Sequence, residues 1–143
     1  MAIATSQVTV SSRLAVVADD DGQMRSLVAM VLREVGFSVL ELSDGLALVD
    51  YLRSSASPAL LVTDLQMPGF TGLQAIRYVR RLGLELPIIL TTAFGNPRVH
   101  TEAIRLGASA VLDKPFSLST LRALATSFFA PSEEPSGVRG QRP

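Results

Sequence analysis

Six side chains in this sequence are of types that could do chemistry together. Asp19, Asp20 and Asp21 directly follow the apolar run Leu14–Ala18. Asp64 follows Leu60-Leu61-Val62-Thr63, Thr92 closes Ile88-Ile89-Leu90-Thr91, and Lys114 follows Ala110–Asp113. Two or three carboxylates within about 5 Å of one another repel by roughly 3 kcal/mol per pair at an effective dielectric of about 20. Such a group either raises a pKa or binds a cation. Oxygen ligands without His or Cys favour Mg²⁺ over zinc or copper. Mg²⁺ keeps several waters and takes one or two carboxylates, which leaves a place for a phosphate oxygen. Lys114 would add a positive charge, Thr92 a hydroxyl donor and Asp64 a nucleophile. Together they would make a pocket for a phosphoryl group.

That pocket exists only if the fold brings these positions to one rim. Five short apolar runs read as strands: Leu14–Ala18, Phe37–Leu42, Ala59–Thr63, Pro87–Thr92 and Ala110–Asp113. Helical patterns alternate with them. Met24, Leu27, Val28, Val31 and Val35 repeat at helix spacing and Gly36 stops them; the second helix, about Leu46–Arg53, is the shortest. Leu73, Ile76 and Val79 mark a third, Val99, Ala103 and Leu106 a fourth closed by Gly107. Leu118, Leu121, Ala125 and Phe128 mark a fifth, with Ser117 as N-cap. Strand then helix, five times, implies parallel strands joined by right-handed crossovers. Runs apolar throughout, such as Leu60-Leu61-Val62, fit strands covered on both faces. In such sheets functional groups gather beyond the carboxyl ends of the strands, which is where the six side chains fall.

Composition narrows the class. The 143 residues suit one domain, and 48% hydrophobic against 18% charged describes a globular chain. Thirteen basic and thirteen acidic residues give no net charge, which argues against nucleic acid held by bulk charge. Without cysteine there is no disulfide framework and no thiolate metal site. The N-terminus lacks the basic and apolar regions of a signal peptide, and no run of about 18 apolar residues could span a bilayer. The expectation is a cytoplasmic chain with no membrane insertion. Residues 1–12 read as a loose Ser/Thr-rich arm, 13–129 as the folded domain, and 130–143, rich in Pro, Gly, Ser and charge, as a disordered tail.

The motifs V-V-A-D-D-D-G-Q-M-R, L-L-V-T-D-L-Q-M-P-G-F-T-G, P-I-I-L-T-T-A and D-K-P-F, in this order, resemble a stand-alone receiver domain of bacterial two-component response regulators. The resemblance implies a doubly wound, flavodoxin-like α/β fold: a five-stranded parallel sheet of order 2-1-3-4-5 flanked by five helices. It implies Asp64 as phosphoacceptor. It implies Mg²⁺ ligated by Asp20, Asp64 and the backbone carbonyl of Gln66, with Asp19 beside it acting largely through water. Arg25, five residues after Asp20, sets this register and leaves Asp21 as an extra acid facing outward. Thr92 would bond the phosphoryl oxygens, Lys114 would pair with them, and Lys114–Pro115 would be cis. The partners implied are a sensor histidine kinase or histidine phosphotransfer protein and a downstream protein target, with no direct nucleic acid; a weak homodimer stays open. Such a domain takes a phosphoryl group and hydrolyses it slowly, and is not a turnover enzyme. With about a dozen residues after Phe129, no output domain is expected to follow.

Departures from the family pattern matter as much. Val111 stands three residues before Lys114, where receivers usually carry Tyr or Phe that swings inward with the threonine. The usual threonine–aromatic coupling is therefore not expected: phosphorylation would still pull Thr92, but the change would reach the helix four–strand five face by another route, or weakly. Phe94 and Gln66, each two residues past a site residue, flank the expected phosphoryl position; a bulky Phe94 would shield it from water. His100, Arg98 and Arg105 read as surface on the fourth helix. Rival readings fit less well. A phosphatase of the haloacid dehalogenase type needs an acid where Gln66 stands. The three aspartates would repel the phosphate of a flavin. A phosphorylation-independent pseudo-receiver, acting only as a protein-binding module, is the alternative that Val111 keeps open.

Overall fold

The computed structural model describes residues 13–54, 57–93 and 96–129. The arm expected over 1–12, the tail expected over 130–143 and Phe94 lie outside the described residues. The elements run β1 (Leu14–Ala18), α1 (Gly22–Val35), β2 (Ser38–Leu42), α2 (Gly45–Arg53), β3 (Leu60–Asp64), α3 (Gly72–Arg81), β4 (Ile88–Thr92), α4 (Pro97–Leu106), β5 (Ala110–Asp113) and α5 (Leu118–Phe129). All strand pairs are parallel and the order is β2-β1-β3-β4-β5, as the alternating pattern and the resemblance predict.

Burial explains the unbroken apolar runs that open the central strands. Every residue of β3 and β4 is buried, because helices cover both faces of the sheet. Val16, Ala18, Leu61, Ile88 and Leu90 pack toward Leu48 and Leu52 of α2 and Ala75, Ile76 and Val79 of α3. Ala15, Val17, Leu60, Val62 and Ile89 point the other way, toward Val28, Val31 and Leu32 of α1 and Leu121 and Ala125 of α5. The alternation along each strand follows from the two-residue period of side-chain direction.

The helices begin and end where local chemistry says they should. Asp21 caps α1, accepting from the amides of Gln23 and Met24, and Asn96 caps α4 ahead of Pro97 at the first position. Thr71 and Gln74 form a reciprocal capping box on α3. Ser117 Oγ accepts from the Thr120 amide at the start of α5. Gly36 and Gly107 end α1 and α4 at positive φ, a conformation that costs glycine little. Two expectations shift. Leu27 is exposed, because the buried face of α1 is centred on Val28, Val31 and Leu32 and leaves Leu27 at its margin. Asp64 is the last residue of β3 rather than the first beyond it, since its backbone still pairs with Thr91.

Candidate functional site

Parallel register sets the site. Ala18 of β1 lies opposite Thr63 of β3, so the next residues, Asp19 and Asp64, emerge side by side at the carboxyl edge. The ladder continues past the strand ends: the Asp19 amide donates to the Leu42 carbonyl at 3.1 Å, and the Leu65 amide to that of Thr91 at 2.8 Å. On the other side Thr92 pairs with Asp113, and the Lys114 amide donates to the Thr92 carbonyl at 2.8 Å. The Lys114–Pro115 peptide is cis. Lys114 Nζ lies 3.2 Å from Asp19 Oδ2 and 3.2 Å from Asp64 Oδ1. Two carboxylates from different strands thus share one ammonium, which reaches Asp19 across 95 positions of chain. Asp19, Asp64 and Thr92 are buried and Asp20 is exposed.

The rim is anchored from beneath. The Asp21 amide donates to Asp19 Oδ1 at 2.9 Å, and Arg25 Nη1 donates to the Asp19 carbonyl at 2.9 Å. Arg25 is itself held by Glu41 Oε1 at 3.4 Å, and Arg33 meets the other oxygen of that carboxylate. Asp21 faces solvent and spends its side chain on the helix cap, so it is not one of the converging acids.

Electrostatics follow from this packing. Burial pushes the Asp64 carboxyl pKa above its ordinary value, and Asp19 and Asp20 push the same way; Lys114 opposes them without prevailing. Burial would lower the Lys114 ammonium, but Asp19 and Asp64 outweigh it and hold the lysine charged above its ordinary value. Asp19, Asp20 and Asp64 each offer an oxygen within 4.8 Å of the others. Three carboxylates against one ammonium leave two negative charges at the rim, and the donor set contains only oxygen. Such a set fits a hard dication of the Mg²⁺ type.

The predicted residues divide accordingly. Asp19, Asp20, Asp64 and Lys114 converge, with Thr92 adjacent on β4. Gln66 is exposed two residues past Asp64, beside an open cavity of about 550 Å³ that it lines with Met67 and Pro68. Val111 is half-buried against the core, with no ring at that position. Arg25 served in the sequence only to fix register; the structure shows it gripping the Asp19 backbone. Its five-residue offset from Asp20 places it one turn into α1, which was the available signal. Gly72 was also missed. A Cβ there would sit 2.5 Å from the Asp64 carbonyl oxygen and 2.5 Å from Leu90 Cδ1, so α3 can approach the strand that carries Asp64 only with glycine at this position.

Comparison with known proteins decides the family. The profile of the response regulator receiver domain matches residues 15–126. The chain belongs to this family. Receiver domains of response regulators are signalling domains and not turnover enzymes. The receiver is 33% identical over 142 residues to the alkaline phosphatase synthesis transcriptional regulatory protein SphR of Synechococcus elongatus, covering 90% of this chain and 55% of that one. It is 32% identical over 117 residues to the transcriptional regulatory protein FixJ of Bradyrhizobium diazoefficiens, covering 82% and 57%. The receiver thus spans little more than half the length of these relatives. Among solved structures, the receiver domain of NtrX from Brucella abortus superposes with a TM-score of 0.73 at 28% identity, covering 82% of this chain and 99% of that one. No helix among the described residues is long and apolar enough to cross a membrane.

Proposed function

We propose that this receiver is a phosphoacceptor: Asp64 takes a phosphoryl group from a histidine kinase or histidine phosphotransfer protein, and the acyl phosphate changes the receiver's affinity for a downstream protein. The observation that carries this reading is the shared ammonium of Lys114, held 3.2 Å from both Asp19 and Asp64 beside the exposed Asp20. A carboxylate oxygen of Asp64 attacks phosphorus. The new P–O bond forms as the bond from phosphorus to the donor imidazole nitrogen breaks, and that nitrogen leaves with the electron pair and is reprotonated. Lys114 can turn from the two carboxylates to the phosphoryl oxygens, and the buried Thr92 hydroxyl can donate to another. Asp19, Asp20, Asp64 and the Gln66 backbone carbonyl would hold Mg²⁺, which supplies charge neutralisation for the transferring group.

On this reading the folded receiver runs over residues 13–129, works in the cytoplasm, and loses its phosphoryl group slowly to water. Its partners are proteins rather than nucleic acid contacted directly, and a weak homodimer is compatible with it. A pseudo-receiver is not favoured, because Asp19, Asp20, Asp64 and Lys114 are brought together at one rim, which supports a transfer site. Beryllofluoride, which mimics the acyl phosphate, tests the reading through ¹⁹F NMR. Bound fluoride resonances should appear only with Mg²⁺ and vanish in Asp64→Asn. Their absence from the wild-type chain at saturating Mg²⁺ would overturn it.

A further inference from the structure

Helix α4 buries the fewest residues of the five helices: one, Ala103, where α1 and α3 each bury four. Its C-terminal end is pinned by Arg80 of α3, which donates to the Gly107 carbonyl from Nε at 3.2 Å and Nη2 at 2.7 Å and to the Leu84 carbonyl from Nη1 at 2.8 Å. Toward its N-terminal end, one side-chain bond among the described residues reaches the sheet: His100 Nε2 to Asp113 Oδ1 at 2.8 Å. An open cavity of about 420 Å³ lies beside this bond, lined by Asn96, Pro97, Thr101 and the pair itself.

Asp113 is placed to pass information. It is the register partner of Thr92 and the residue before Lys114, whose amide bonds the Thr92 carbonyl. Thr92, Asp113 and Lys114 are therefore one stretch of backbone ladder. Lys114 reaches the acidic rim from it, while Asp113 reaches α4. Val111, on the same strand, carries no ring that could do this work. We propose that His100 is a positioning residue for the phosphoryl site: through Asp113 it ties α4 to the strand end that carries Lys114, so that charge at Asp64 and the seating of α4 are linked. This deepens the phosphoacceptor reading and rests on it for its biological use, but the linkage itself requires no phosphate. Of the other charged groups nearby, Glu102 pairs with Arg105 on α4, Arg80 serves the far end, and Arg98 is exposed to solvent.

His100 is the only histidine in the chain, so its imidazole ¹⁵N resonances need no assignment to a residue, and Nε2 is told from Nδ1 by its couplings to both ring C–H protons. They would be recorded at one fixed pH, without metal or phosphate, for the wild type, Asp64→Asn, Asp113→Asn and the double variant. The linkage predicts that Asp64→Asn displaces the Nε2 resonance when Asp113 is present and does so several-fold less in Asp113→Asn. Equal displacement in both backgrounds would mean a field acting through space, and no displacement in either would mean no communication; both overturn the proposal. By reciprocity, His100→Ala should change the Mg²⁺ dissociation constant of the wild type about two- to five-fold, the range open to an exposed ion pair, and leave it unchanged in Asp113→Asn. Failure of beryllofluoride binding with the resonance effect intact would sink the phosphoacceptor reading and spare the linkage.

Discussion

Asp64 is stabilised poorly and placed well. Burial and two neighbouring carboxylates hold its pKa above the ordinary value, so its charged form costs the fold stability. The cost is absent below the unfolded value of 3.8 and grows as pH rises through the higher folded value. Asp64→Asn in Mg²⁺-free buffer should therefore raise stability near pH 7 by about 0.5–2 kcal/mol, and the gain should vanish in acid below the ordinary carboxyl range. Thermal melts across pH check this; an equal gain at every pH would contradict it. Lys114 has the opposite sign. Its raised pKa means a stabilising contribution present below 10.5, for as long as Asp19 and Asp64 are ionised, and lost above the folded value. Lys114→Met should destabilise by about 1–3 kcal/mol at neutral pH, with much of the loss recovered when Asp64→Asn is added. Chemical denaturation of the single and double variants measures the recovery. The types and spacing of these residues were legible in the sequence. That Asp19 and Asp64 share one ammonium was not, since it depends on a side-chain reach across 95 positions.

At the scale of elements, the site depends on strands held in register and a helix allowed close. Strand identities were readable because buried parallel strands carry continuous apolar runs, and the ends moved by only a residue. Phe37, Ala59 and Pro87 fall outside β2, β3 and β4, and Asp64 falls inside. Hydrophobic periodicity does not mark where hydrogen bonding stops. Gly72 carried no signal, because its role comes from the approach of α3 to Asp64 and Leu90. Gly72→Ala should cost about 1–3 kcal/mol through overpacking and slow phosphorylation by moving the Asp64 backbone. A denaturation midpoint and the initial rate with acetyl phosphate check the two halves; wild-type values for both would show that the helix can simply step back. Helix α4 was visible from Val99, Ala103 and Leu106, yet only Ala103 is buried. His100 was read as surface and is indeed partly exposed, but its bond to Asp113 was invisible until α4 and β5 were side by side.

The whole molecule is a receiver whose two helical layers serve unequal ends. Helices α1 and α5 bury a continuous apolar layer on one face of the sheet, and α1 also supplies Arg25 to hold Asp19. The opposite face ends in the weakly buried α4, next to the strand that carries Lys114. A stable layer and a loosely held helix joined by one acidic rim suit a domain that must change without unfolding. Mg²⁺-dependent phosphorylation of Asp64 can be read directly as intact mass after incubation with acetyl phosphate and Mg²⁺. One added phosphoryl mass is expected in the wild type, absent with a chelator and absent in Asp64→Ala. An unchanged wild-type mass together with no bound beryllofluoride would contradict the claim, as would an added mass that survives in Asp64→Ala.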